Sequence, residues 1–138
     1  MKKPILIISI LFMAITMKAG TPPVAVSKAF AQKFPTATDV KWGKENASEW
    51  EAEFKLKTVK NSANFSLDGT WLETETEIPV SELPASVSSA IMAKYPGCKI
   101  TGGDKIESFK KGILYEADIK TGVIKKEVIL KVDGTFTK

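Results

Sequence analysis

Two segments of the chain carry apolar residues at four-residue intervals, which is the spacing of one face of an α-helix. The two stripes consist of Val26, Phe30 and Phe34, and of Val87, Ile91 and Tyr95. Pro23 and Pro84 stand at or near the starts of these segments, where proline is well tolerated. Each stripe ends at a residue followed by proline, which disfavours the α conformation. The pattern therefore predicts two short helices, each with one apolar face.

Downstream of each helix the apolar period becomes two, as in a half-buried β-strand. The alternating apolar residues are Trp50, Ala52, Phe54 and Leu56 in the first run, and Tyr115, Ala117 and Ile119 in the second. A further short strand is predicted at residues 40–42. The dipeptides Asp68-Gly69 and Asp133-Gly134 follow the alternating runs and predict hairpin turns. The fold class predicted from these patterns is α+β.

The two helix-and-strand segments are also similar to each other in sequence. Residues 50–71 align without a gap with residues 115–136, and seven of the 22 positions are identical. Ordinary residue frequencies would give about one or two identities. Such self-similarity indicates an internal repeat. We expect one domain over residues 20–138, made of two tandem repeats at about 22–78 and 79–138, since two separate domains of that size would be marginally stable.

The N-terminus has the three parts of a secretory signal peptide. Met1-Lys2-Lys3 precedes an apolar run at residues 5–15, and Ala19-Gly20 offers a cleavage site. The run is shorter than the roughly 20 residues that a membrane-spanning helix needs. We therefore predict a signal peptide over residues 1–19, a periplasmic or secreted location, and no stable membrane insertion after cleavage.

Cleavage there would change the charge of the protein. The full chain has a formal net charge of +4, but three of its 20 lysines lie in the leader, which leaves 17 lysines and 16 acidic residues. The chain contains no arginine. A nearly neutral protein without arginine gives no support to nucleic-acid binding, and arginine is the residue best suited to grip phosphate. We expect no nucleic-acid partner.

The composition also argues against most enzyme chemistry. Histidine is absent and Cys98 is the only cysteine. This removes the commonest general base, the commonest metal ligand and any zinc or redox cysteine pair. Cys98 is expected to be a small packed residue. We predict a non-enzymatic protein without a cofactor or a metal; an enzyme would instead need clustered acids with strongly raised pKa values.

Several short motifs together resemble the PepSY-like, β-lactamase-inhibitor-like family of periplasmic proteins found mainly in gut and oral Bacteroidetes. They are Val40-Lys41-Trp42, Phe65 with residues 68–75, Leu83-Pro84, Tyr95-Pro96-Gly97 and Tyr115-Glu116. The resemblance implies two repeats that share one antiparallel sheet, with the helices on one face and an open, concave face on the other. It implies no catalytic residues. β-Lactamase inhibitor proteins bind through that concave face, but they carry disulfides that a single cysteine cannot form.

The turn at Asp68-Gly69 decides which residues face away from the helices. A two-residue turn pairs Ser66 with Trp71 and Phe65 with Leu72, and paired residues share a face. Ala63, Phe65, Leu67 and Leu72 would then face the helices. The predicted binding residues on the opposite face are Asn64, Ser66, Trp71, Glu73, Glu75, Ile129, Lys131 and Phe136. A difference of one residue in the turn would instead place Trp71 in the core.

The acidic residues of the same strand need a separate interpretation. Glu73, Glu75 and Glu77 alternate and so line one side of the strand. A calcium site needs six to eight oxygen ligands from several segments. We interpret these three residues as a solvated acidic ladder.

Two binding functions follow for the open face. The first is binding of an unknown protein or peptide, possible as an inhibitor, with exposed aromatic residues as anchors. The alternative is a small-molecule or glycan module that uses the same aromatics as stacking platforms. A pocket of a few hundred Å³ favours the small molecule, and a broad surface favours the protein. The oligomeric state is not predicted.

Overall fold

A computed structural model describes residues 19–137 of the chain. The predicted signal peptide, apart from Ala19, lies outside the described residues. The element order is α1 (Val24–Lys33), β1 (Thr38–Lys44), β2 (Glu49–Leu56), β3 (Val59–Ser66), β4 (Trp71–Ile78), α2 (Ala85–Lys94), β5 (Lys99–Ser108), β6 (Gly112–Thr121) and β7 (Ile124–Lys131). No helix within residues 19–137 is long and apolar enough to cross a bilayer.

The seven described strands form one antiparallel sheet in which every strand pairs with the next strand in sequence. Both helices pack on the same face of this sheet, here called the helix side. The opposite face, here called the open face, is the one carrying Glu51, Glu75 and Glu116. The predicted α+β class, with two helices on one side of a shared antiparallel sheet, is confirmed.

The helices begin and end where the sequence predicts. Pro23 and Pro84 directly precede the first helical residues. At the other end the backbone N–H groups of Phe34 and Tyr95 still donate to the carbonyls of Phe30 and Ile91, and the chain then leaves the helix before the following proline.

The N-terminal half has an aromatic core. Phe30 of α1 packs edge-on against Trp42 and Phe54, with ring centroids 5.1 and 5.0 Å apart. Phe65 of β3 is fully buried below it. Such edge-to-face contacts add about 0.5–1.5 kcal/mol per pair to the burial of the rings.

The C-terminal half has an aliphatic core in the corresponding place. Its buried residues are Leu83, Val87, Ile91, Cys98, Ala117, Ile119, Val128 and Leu130. Cys98 is therefore the packed residue that the sequence predicts. Leu83, from the short 3₁₀ segment before α2, lies against Gly103 and would touch any side chain placed there. It thereby occupies space beside β5 comparable to that taken by Trp42 beside β1.

The two Asp-Gly turns contain three residues, one more than predicted. The Ser66 N–H donates to the Thr70 carbonyl at 2.9 Å, which leaves Leu67, Asp68 and Gly69 in the loop. Gly69 has a φ of +87°, a conformation that residues with a Cβ rarely adopt. A three-residue loop ending in such a glycine is a common hairpin connection. The extra residue shifts the pairing beside the turn by one position and so exchanges the faces.

Trp71 consequently lies on the helix side, and its predicted exposure on the open face is wrong. It pairs with Phe65 and packs against the aromatic core. Its indole N–H donates to Thr74 Oγ1 at 2.8 Å, and Lys33 Nζ lies 4.0 Å from its ring centroid. The alternative that places Trp71 toward the core is therefore the one the structure has.

A bulge at Leu72 limits the error to the residues beside the turn. Asn64 pairs with Glu73 as predicted, whereas the predicted pairing of Phe65 with Leu72 is wrong. Leu67 was expected to face the helices, but it lies in the loop and is 47% exposed.

Phe136 is misplaced by the prediction for the same reason. The Lys131 N–H donates to the Thr135 carbonyl at 2.8 Å, so this turn also has three loop residues. Phe136 pairs with Leu130 and packs against Tyr95 on the helix side. Lys94 Nζ lies 4.0 Å from its ring centroid, as Lys33 does from Trp71.

Candidate functional site

The open face contains a cavity of about 1110 Å³ that extends across the strands of both halves. Nine carboxyl groups and three lysines are among its lining residues. The carboxyl groups belong to Asp39, Glu51, Glu53, Glu75, Glu77, Asp104, Glu116, Asp118 and Glu127, and the lysines are Lys41, Lys55 and Lys60. More than half of the 16 acidic residues of the chain therefore meet at one cavity of a nearly neutral mature protein.

Strand alternation explains how the acids reach this face. In β2 the apolar residues Trp50, Ala52 and Phe54 pack on the helix side, so Glu51 and Glu53 between them point to the open face. In β6 Ala117 and Ile119 pack on the helix side, and Glu116 and Asp118 alternate with them. The periodicity that builds the core thus also builds an acidic surface.

The centre of the cavity is unfavourable for negative charge. Burial raises the pKa of Glu75 from 4.5 to about 7, with added repulsion from Glu73 and Asp104. Burial also raises the pKa of Glu116 from 4.5 to about 8, with added repulsion from Glu75 and Glu127. A cation bound here would therefore relieve repulsion that the protein itself does not neutralise.

The N-terminal wall is partly neutralised by lysines. Lys55 Nζ lies 2.9 Å from Asp39 Oδ2, and the hydrogen bond from this ammonium group is the main cause of the lowered pKa of Asp39. Lys41 pairs with Glu53 across β1 and β2. Burial and the neighbouring Glu45 raise the pKa of Glu51 from 4.5 to about 7.

The C-terminal wall concentrates carboxyl groups instead. Glu116, Asp118 and Glu127 each have a carboxylate oxygen within 4.8 Å of those of the other two. Asp118 lies directly opposite Glu127, and Asp104 lies opposite Glu116. Like charges facing each other across strands are destabilising. This wall is the most concentrated negative region of the cavity.

Six of the eight predicted binding residues lie on the open face, as their partners in the sheet show. They are Asn64, Ser66, Glu73, Glu75, Ile129 and Lys131. Only Glu75 among them lines the cavity. Trp71 and Phe136, the two predicted anchors, lie on the helix side.

The prediction did not select most of the acids that form the cavity. Alternation in β2 and β6 already separated Glu51, Glu53, Glu116 and Asp118 from the core residues, so the signal for their face was present. The pairing of β4 with β5, which brings Glu75 close to Asp104 and Glu116, depends on tertiary structure. That contact joins the acids of the two halves into one site.

A family model described as "Putative beta-lactamase-inhibitor-like, PepSY-like" matches residues 48–138, from just before β2 to the C-terminus. The chain belongs to this PepSY-like family. The predicted resemblance is therefore confirmed. No match was found among curated proteins.

Solved structures share the fold of this PepSY-like chain. A DUF2874 family protein from Bacteroides ovatus ATCC 8483 has 20% identity and a TM-score of 0.75, with 86% of each chain covered. A protein from Bacteroides eggerthii DSM 20697 described as putative periplasmic has 18% identity and a TM-score of 0.77, covering 86% of this chain and 88% of that one. A BLIP-like protein from Bacteroides fragilis NCTC 9343 has 21% identity and a TM-score of 0.72, covering 88% and 86%.

Proposed function

We propose that this PepSY-like protein is an exported, non-enzymatic binding protein that takes a lysine- or arginine-rich segment of another protein into its acidic cavity. The observation that supports this most is the separation of charge, with nine carboxyl groups and only three lysines lining the cavity. Complementary charge of this kind speeds association and selects partners of the opposite sign.

The size of the cavity favours an extended peptide over a small molecule. Pockets for small ligands usually measure about 300–1,000 Å³ and are mostly apolar. This cavity measures about 1110 Å³, and charged residues form much of its lining. The proposed glycan platforms, Trp71 and Phe136, pack on the helix side and do not line it. The glycan alternative therefore loses its stacking residues.

A periplasmic location agrees with the sequence and with one structural neighbour. Residues 1–19 have the pattern of a signal peptide, and the Bacteroides eggerthii protein with the same fold is described as putative periplasmic. The fold similarity to a BLIP-like protein supports a protein as the partner, and an inhibitory role would follow if that partner were an enzyme.

An enzyme is the second candidate, because its expected feature is present. Glu75 and Glu116 are clustered acids with strongly raised pKa values. Burial and mutual repulsion cause both shifts, and a cation-binding surface would have the same features. The chain contains no histidine, and Cys98 is buried on the helix side. Binding therefore accounts for the site with fewer assumptions.

The proposal can be tested with a charged model peptide. We expect the mature protein to bind an alternating Lys-Gly decapeptide at pH 8.5 in calorimetry, and not the Glu-Gly counterpart. Raising NaCl from about 50 to about 300 mM should weaken binding, because salt screens exposed charges. The double variant Glu75→Gln/Glu77→Gln should weaken binding three- to tenfold, in the range of two exposed charge contacts of about 0.3–0.7 kcal/mol each.

Glu82→Gln supplies a matched control. Glu82 is exposed in the 3₁₀ segment before α2 and does not line the cavity. Its substitution changes the net charge by one unit without touching the site, so affinity should stay within twofold of wild type. Equal binding of the two peptides, or equal loss in Glu82→Gln and the double variant, would contradict the proposal.

A further inference from the structure

We infer that Glu116, Asp118 and Glu127 form a calcium-binding site on the C-terminal wall of the cavity. Two adjacent strands supply the three side chains, Glu116 and Asp118 from β6 and Glu127 from β7. The site concerns a metal ion, so it goes beyond the proposed binding of a peptide.

The spacing of the carboxylate oxygens fits one calcium ion. Oxygens bound to the same Ca²⁺ at about 2.4 Å lie at most about 4.8 Å from each other. One oxygen from each of the three residues meets this limit with the other two. The chelating oxygens are thus already gathered at the distance that a shared ion requires.

Glu116 provides an observation independent of this clustering. The residue is only 8% exposed, and it lines the cavity. No hydrogen bond or ion pair joins its carboxylate to another residue in the described part of the chain, and its electrostatic neighbours are all acids. A buried carboxylate is normally hydrogen-bonded or paired, because burying an unpaired charge is unfavourable. A cation in the cavity would be the missing partner.

The backbone beside Asp118 also leaves room for its carboxylate. Gly102 lies opposite Asp118 in β5, and a Cβ added at Gly102 would lie only 2.4 Å from Asp118 Oδ2. The Thr101 hydroxyl donates to the Asp118 backbone carbonyl at 3.4 Å. The glycine thus lets the acid lie close to the strand on the side of the cavity.

The N-terminal half shows that the fold does not require this concentration of charge. The alignment with an offset of 65 residues matches Glu127 with Ser62, and Glu116 with Glu51. Across the sheet, Glu51 pairs with Gly43, whereas Glu116 pairs with Asp104. Two of the acids around Glu116 are therefore replaced by neutral residues around Glu51.

Calcium is the ion that best suits these ligands. All three donors are carboxylate oxygens, which favour hard cations over zinc or copper. Calcium accepts six to eight oxygens in irregular arrangements, including both oxygens of one carboxylate, whereas Mg²⁺ requires a near-ideal octahedron of about 2.1 Å. Three carboxylates plus water would complete a calcium shell.

Calcium titration of the chelator-treated mature protein, without any peptide, tests the site. We expect one Ca²⁺ per chain with a Kd of about 0.1–1 mM, the range of extracellular modules, and a rise of several degrees in Tm at about 10 mM CaCl₂. Glu116→Gln and Glu127→Ser should each weaken binding at least tenfold. Circular dichroism would verify that both variants are folded.

Glu51→Gln is the matched control, because Glu51 is as buried as Glu116 and occupies the aligned position. It should retain wild-type calcium affinity. No heat of binding at about 10 mM Ca²⁺, equal loss in Glu51→Gln and Glu116→Gln, or equal affinity for Mg²⁺ would overturn the inference. Because no peptide is present, a negative result leaves the peptide proposal intact, and failure of the peptide test leaves the calcium result intact.

Discussion

On the helix side, the N-terminal half (α1 and β1–β4) and the C-terminal half (α2 and β5–β7) repeat the same contacts. Lys33 lies over Trp71 and Lys94 lies over Phe136, each 4.0 Å from the ring centroid. On the open face the halves differ, since lysines accompany the acids of the first half while the acids of the second half face one another. The common origin of the halves stays a prediction from their sequences.

This difference separates the residues that support the fold from those that serve the site. Contacts present in both halves, such as the cation above the aromatic ring, belong to a shared framework. The acids found at Asp104 and Glu127 but not at Gly43 and Ser62 are not needed to form that framework. They also bring like charges together, which opposes folding. Their presence is best explained by a ligand.

The largest expected difference between the halves concerns their cores. Phe65→Ala should lower the free energy of unfolding by about 4 kcal/mol, because Phe65 is fully buried among aromatic rings. Leu130→Ala, at the aligned position, should lower it by about 3 kcal/mol, since a smaller side chain is lost. Urea denaturation would measure both. An equal or larger loss in Leu130→Ala would show that the aromatic core has no energetic advantage.

The turn glycines should behave alike in the two halves. Gly69→Ala and Gly134→Ala should each destabilise the protein by about 2 kcal/mol or more, because both have positive φ. In addition, the new Cβ would lie 2.6 Å from a carbonyl oxygen of the nearby helix, that of Ala25 or of Ser86. Thermal unfolding would compare the two variants.

Gly112→Ala serves as the control for this comparison. Gly112 has a φ of +71°, but a Cβ there would meet no atom within 4 Å. Its substitution should cost only about 1 kcal/mol, from backbone strain alone. If all three variants lost the same stability, the approach of the turns to the helices would have no energetic role.

The smallest expected effect comes from the buried acids. Glu51 and Glu116 have raised pKa values of about 7 and 8, so the folded state binds more protons than the unfolded chain from about pH 4.5 upward. This contribution to stability is complete below pH 4.5 and is lost as the pH rises to 8. We expect Tm to fall by about 5 °C between pH 5 and pH 8.5 in the absence of divalent cations.

Substitution of each acid would separate the two halves in this pH dependence. Glu116→Gln should flatten the decline more than Glu51→Gln, because Glu116 has the higher pKa and more acidic neighbours. Melting curves at several pH values would measure the difference. The reverse order would mean that the N-terminal wall carries the greater charge repulsion.

The periodicity of the chain predicted the helices and the alternating strands, since both depend on local sequence. The stripe through Val26 and Phe30 identified the buried side of α1, and the aligned stripe identified that of α2. The register beside the turns was wrong because an Asp-Gly pair fits both two- and three-residue loops. Only the hydrogen bond from Ser66 to Thr70 distinguishes them, and it reversed the face of Trp71.

The candidate site was less predictable than the fold. Glu75 was correctly placed on the open face because the bulge at Leu72 restores the expected register. Its closeness to Glu116 depends on β4 lying beside β5, a contact between residues about 30 apart in sequence that no local pattern reports. The aromatic residues were selected for their usual role at interfaces, and packing with the helices took precedence over it.

The order of the strands also has a consequence for the folding pathway. Of the six pairings among the described strands, five join strands linked by short turns, and such local closures lose little chain entropy. The pairing of β4 with β5 must instead close over the whole of α2. That closure brings Glu77 opposite Asp104, so the acidity that suits the cavity for cations slows the step that unites the sheet.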